Sequence, residues 1–123
     1  MKIISFNWTK DSFLAGRKTK TRREWTDTYA NKFKVGETCQ AYDKQPQYGG
    51  MKIGELIVES LTYEDISTMP DSDYELEGFL YMEERGLKIW GKDPRQAFDD
   101  WRNKGGMYWV LWFTPIIYRE QIQ

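Results

Sequence analysis

The sequence predicts an α+β domain, a small β-barrel with helices packed around it. Three observations lead there. Strand-like apolar runs fall at residues 2–7, 38–43, 51–61 and 107–117, so strands open, centre and close the chain. Capped helical segments lie between them rather than in one block, an order that suits a small barrel with helices at its edges. No repeat or low-complexity linker divides the 123 residues, a length that fits one domain over 1–123.

Lys2–Asn7 reads as a first strand. Thr9 is placed to cap a short helix, Lys10–Ala15, with Phe13 and Leu14 as its apolar side and Gly16 just past its end. A basic connection follows and leads toward a strand at Thr38–Asp43, where Cys39 and Ala41 share one face. Pro46, Gly49 and Gly50 mark a loop. Met51–Leu61 is the strongest strand, carrying Ile53, Leu56, Ile57, Val58 and Leu61. Thr62–Asp65 resembles a capping arrangement for a one- or two-turn helix. Asp71 is placed to cap a longer helix through Glu84, stopped by Gly86. Asp93-Pro94 opens another, with Ala97, Phe98 and Trp101 at helical spacing and Gly105-Gly106 as its stop. Met107–Ile117 is a last, aromatic strand, on which Trp109 and Trp112 face opposite sides.

Composition narrows the chemistry. Histidine is absent, which removes histidine triads and histidine-centred zinc sites. The single cysteine, Cys39, allows no internal disulfide and fits a cytoplasmic location. No run of 18 apolar residues occurs, so no membrane association is expected. Adjacent Asp99 and Asp100 point apart on a helix and make no metal site, and no cofactor is implied. The net charge of −1 hides an asymmetry: residues 1–36 carry nine Lys/Arg against three Asp/Glu, residues 37–123 nine against sixteen. Five cations fall within Arg17–Arg23, whereas Glu55–Glu84 holds ten acidic residues and no basic one. The basic run is either a phosphate-attracting patch or a solvated loop that pairs with the acidic segment.

Leu14-Ala-Gly-Arg-Lys-Thr-Lys-Thr-Arg-Arg23 resembles the signature of ASCH domains, members of the PUA-like superfamily. Val35-Gly36-Glu37, Ile53-Gly54, Glu77-Gly78-Phe79 and Trp109-Val-Leu-Trp-Phe113 are similar to further family motifs in the same order, so the resemblance spans nearly the whole chain. It implies a PUA-like barrel with a cleft beside the basic segment. PUA-like domains are generally readers of RNA or modified bases, and some ASCH proteins are amidohydrolases that remove an acyl group from N4-acylated cytidine. Carried onto this chain, that subfamily's lysine, threonine and glutamate fall on Lys18, Thr21 and Glu77. Leu87–Lys104 has no counterpart in that subfamily.

The residues admit three functions. As a binding module, the domain takes RNA, single-stranded nucleic acid or a modified nucleotide into a basic cleft; this reading needs the fewest assumptions. Arg17, Lys20, Arg22 and Arg23 would then meet phosphates or base edges, with Trp25 and Tyr48 stacking bases. As an amidohydrolase, a lysine of lowered pKa, Lys18, takes the proton of Thr21, which attacks the acyl carbon, while Glu77 protonates the leaving amine. As a ribonuclease, lysine and carboxylate groups would move the protons. The hydrolase carries a geometric condition: in a regular strand, positions 18 and 21 face opposite sides, so the chain must bend between them. Otherwise Thr19 and Thr21 are ordinary β-branched strand residues. No protein partner is implied.

Overall fold

The computed structural model describes residues Met1–Tyr118. Five strands form one sheet: β1 (Ile3–Ser5), β2 (Lys20–Arg23), β3 (Thr38–Tyr42), β4 (Lys52–Asp65) and β5 (Met107–Ile117), in the order β1-β3-β4-β5-β2. The β1–β3 pair is parallel and the others antiparallel. Cys39 and Ala41 are buried on one face of β3 as their alternation requires. The sheet is open, a correction to the expected barrel. No backbone ladder joins the edge strands β1 and β2; a side chain does, as Arg23 donates to the Ser5 carbonyl at 2.8 Å.

Strand β4 runs on through Asp65 because its far half pairs with β5, Tyr63 opposite Trp109 with ring centroids 4.8 Å apart. The helix expected from Thr62–Asp65 is therefore absent, and Asp65 instead accepts from Ser67 N at a single 3-10 turn, Ile66–Thr68. A register shift after Val58 sets Ser60 opposite Trp112.

The helices are short: α1 (Lys10–Leu14), α2 (Asp27–Ala30), α3 (Asp73–Leu76), α4 (Phe79–Glu84) and α5 (Pro94–Lys104). A 3-10 turn, Asn7–Thr9, leads into α1, and Thr9 bonds back to the Phe6 carbonyl instead of capping the helix. The single helix expected over 71–84 is split by Gly78, whose φ of 97° ends α3 and starts α4. Asp71 does not cap it but pairs outward with Arg95 and Arg102.

Two apolar clusters result. One lies in the sheet, around Phe6, Phe13, Leu56, Val58, Leu111 and Phe113. The other lies under the segment between β4 and β5, around Ile66, Tyr74, Phe79, Phe98 and Tyr108. No helix among the described residues is long and apolar enough to cross a membrane.

Candidate functional site

A cavity of about 340 Å³ opens on the boundary of the two clusters. Its floor is built by the turn between α1 and β2. Gly16 takes φ 74°, and the amides of Arg17 and Lys18 both bond to the Ser12 carbonyl. The chain thus turns at Lys18 and becomes strand only at Lys20. That bend meets the condition posed by the sequence: Lys18 and Thr21 line the same cavity, together with Glu77. Thr21 is also an ordinary strand residue, paired with Leu111 of β5.

Lys18 is 2% exposed. Its Nζ donates to the Glu77 carbonyl at 2.6 Å and to Glu77 Oε1 at 3.2 Å. Gly78, next to Glu77, is packed closely against Ser12. A Cβ there would lie 2.8 Å from the Ser12 Cβ and 2.9 Å from its Oγ, and the Ser12 hydroxyl donates to the Gly78 carbonyl at 2.8 Å. The second carboxylate oxygen of Glu77 accepts from Arg22 at 2.7 Å. Arg22 also donates to Asp73 at 2.7 Å, and Lys20 holds both Asp73 oxygens at 2.9 and 3.1 Å.

This cluster is buried and holds three cations against two carboxylates. Uncompensated charge in a dry interior is costly, and a group that can lose its charge does so. Lys20 meets both oxygens of Asp73, whereas Lys18 shares Glu77 with Arg22. Burial pushes the Lys18 amine below the usual lysine range, and Arg23 and Arg22 push the same way against the pull of Glu77. A neutral amine keeps two N–H donors and gains a lone pair. The two contacts with Glu77 need only two donors, so loss of the third proton would leave them intact.

Arg23 lies on the other flank of Thr21. Its Nε donates to Thr21 Oγ1 at 3.2 Å while a terminal nitrogen reaches Ser5. Burial lowers its affinity for its proton, opposed by Glu77. A guanidinium on the hydroxyl oxygen favours the alkoxide, by charge and by hydrogen bond.

The other sequence candidates separate. Arg17 pairs outward with Glu75 and Glu84, whose hydrogen bonds raise its pKa. Arg17, Lys20 and Arg22 are thus engaged by the acidic segment, in the last two cases deep inside the fold. Trp25 stacks on Phe33 at 4.6 Å and lines a second cavity of about 390 Å³, which shares Ser5 and Arg23 with the first. Tyr48 is 70% exposed and borders neither cavity.

Sequence reasoning missed the aromatic wall of the main cavity, formed by Trp8, Phe79, Trp90, Trp101 and Tyr108. It also missed Asp73, the partner that keeps Lys20 and Arg22 out of solvent. The acidic segment was visible as a charge run, but which carboxylate meets which cation depends on the α3–α4 break. Among the described residues no group of three or more His, Cys, Asp or Glu side chains is placed to hold a metal ion.

The open five-stranded sheet with inserted helices is an ASCH-type fold by comparison of structures. The ASCH protein of Zymomonas mobilis superposes with a TM-score of 0.55 at 19% identity, covering 98% of this chain and 74% of that one. A point variant of the same protein gives 0.52 at 14% identity, covering 98% and 76%. An Enterococcus faecalis protein described under the family DUF984 gives 0.60 at 13% identity, covering 96% and 82%. No protein-family model and no curated protein matches the sequence. The chain has the ASCH-domain fold.

Proposed function

We propose that this protein is an amidohydrolase that removes the acyl group from an N4-acylated cytidine. The observation that carries this reading is the convergence of Lys18, Thr21 and Glu77 on one cavity, with Lys18 buried in excess positive charge. The volume lies at the low end for ligand pockets, suited to one nucleoside and not to a duplex.

In the reaction, the Lys18 amine takes the Thr21 hydroxyl proton, and Oγ1 forms a bond to the acyl carbon. The carbonyl π electrons move to oxygen, where the donors of Arg23 not used by Thr21 and Ser5 offset the negative charge. Collapse breaks the C–N4 bond, and the Lys18 ammonium returns its proton to N4, releasing cytidine. Water, deprotonated by Lys18, then adds to the threonyl ester; the C–Oγ1 bond breaks, the carboxylic acid leaves, and the Lys18 ammonium returns its proton to Thr21. Both Glu77 oxygens accept hydrogen bonds, one from Lys18 and one from Arg22. Its role here is to hold and orient Lys18, a different assignment from the proton donor expected from sequence.

A second reading is a binding module for a modified nucleotide. The second cavity, with Trp25 and Arg23 beside the first, favours it. Incubation of the pure protein with N4-acetylcytidine, followed by chromatography of released cytidine, separates the two. Release by the wild type, lost in both Lys18→Ala and Thr21→Ala, is expected. No release by folded protein at high concentration would overturn the hydrolase reading and leave the binding one.

A further inference from the structure

We infer that Trp90 is a stacking platform for a planar heteroaromatic ring of the ligand, held ready at the cavity by a strained turn. The inference rests on the reading of this cavity as a nucleoside site and names the contact that would recognise the base.

The turn is unusual for the residue it carries. Ile89 and Lys92 exchange both backbone hydrogen bonds, at 2.8 and 2.9 Å, around Trp90 and Gly91, with φ of 52° and 75°. This is a two-residue hairpin turn of the type I′ pattern, in which both central residues are left-handed. Glycine, asparagine and aspartate occupy such positions readily; a bulky indole does not.

Burial does not compensate for the strain. Trp90 is 60% exposed, and its ring meets Trp8 edgewise at 5.6 Å and 68°. A large apolar ring kept in solvent on an unfavourable backbone costs stability twice, through the turn and through the exposed surface. Its position gives the reason. Trp90 lines the main cavity with Lys18 and Thr21. The other non-glycine residue at positive φ among the described residues, Asn7, lines it too. Backbone strain at Trp90, on the rim of this cavity, marks a ligand clamp rather than a packing accident. An exposed indole on a cavity also lined by Lys18, Thr21 and Glu77 is an arrangement that can take a pyrimidine by stacking.

The test pairs stability with affinity. Trp90→Asn places a residue that suits the left-handed turn, and Trp90→Phe keeps an aromatic face. Thermal unfolding is recorded for each, and cytidine, which does not react, is titrated calorimetrically. Trp90→Asn is expected to melt at or above the wild-type temperature yet bind cytidine roughly ten-fold or more weakly, the effect of losing one base stack. Trp90→Phe is expected to keep most of the affinity. Equal affinity in wild type and Trp90→Asn would overturn the inference, as would a wild type that does not bind cytidine. A marked fall in melting temperature in Trp90→Asn would also overturn it, by making Trp90 a packing residue. Because cytidine binding needs no turnover, a wild type that binds it but releases none from N4-acetylcytidine sinks the hydrolase reading and leaves this one standing.

Discussion

Asp73 and Asp71 sit two residues apart and give a sharp contrast. Asp73 is 1% exposed and accepts from Lys20 twice and from Arg22 once. The Asp71 side chain is 66% exposed and pairs with Arg95 and Arg102 at the surface. Removing one partner from a buried ion pair costs about 3–5 kcal/mol, because the remaining charge is left without compensation. Here each stranded cation keeps something: Arg22 retains Glu77 at 2.7 Å, and the Lys20 ammonium lies 4.3 Å from the Trp112 ring centroid. The expected cost of Asp73→Ala is therefore at the lower end, about 3 kcal/mol. That is a large share of the ~5–15 kcal/mol that holds a domain together, and about 10 °C in melting temperature. Asp71→Ala should cost under about 1 kcal/mol, since exposed pairs are screened and entropically expensive. Urea unfolding of the two variants, fitted with a shared slope, checks both values. Equal losses, or a loss below about 1 kcal/mol for Asp73→Ala, would show that water reaches the cluster, and the charge-counting argument for Lys18 would fall with it.

Two further outcomes follow from the same cluster. Gly78→Ala forces a Cβ to within 2.8 Å of Ser12 at a φ of 97°; about 2–4 kcal/mol should be lost to left-handed strain and overpacking, and urea unfolding showing less than about 1 kcal/mol would refute the close approach. The lowered Lys18 pKa means that the folded protein sheds this proton at a pH where the unfolded chain still holds it. The unfolded state binds more protons in that window, so the Lys18 contribution to stability rises with pH up to the ordinary lysine value of 10.5. Subtracting the stability–pH curve of Lys18→Met from that of the wild type should leave this rise, and parallel curves would rule it out.

Local signals were enough for much of the fold. Period-two alternation placed β3, an apolar run placed most of β4, and Asp93-Pro94 with Gly105 bounded α5 correctly. The errors share a cause, which is partners distant in sequence. Thr62–Asp65 carries a helix-start pattern, but Tyr63 and Trp109 hold it in the sheet. Barrel closure depended on whether β1 meets β2, a pairing no local pattern encodes. Glu77-Gly78-Phe79 was visible as a motif, yet that Gly78 divides a helix became evident only against Ser12, 66 residues away. In the site, Lys18 and Thr21 were legible and their bend was not. The basic run admitted both a phosphate surface and pairing with the acidic segment, and the choice was hidden because its carboxylates lie more than 50 residues on. Trp90 had one local cue, Gly91 behind it, which marks a tight turn without saying what the turn presents.

The cavity straddles two separately packed clusters. Phe6 belongs to the sheet cluster, whereas Trp8, Phe79, Trp101 and Tyr108 belong to the helical one. Lys18 and Thr21 are carried by the α1–β2 turn and β2, and Trp90 and Trp101 by the segment between β4 and β5. The groups proposed to make and break bonds, and most of the rings that shape the space around them, thus sit on different parts of the chain. Such a division makes the domain retargetable. Exchanging the 87–104 segment would change which ring is admitted while Lys18 and Thr21 keep their own supports, so lineages or designs can vary the guest without rebuilding the proton-transfer machinery.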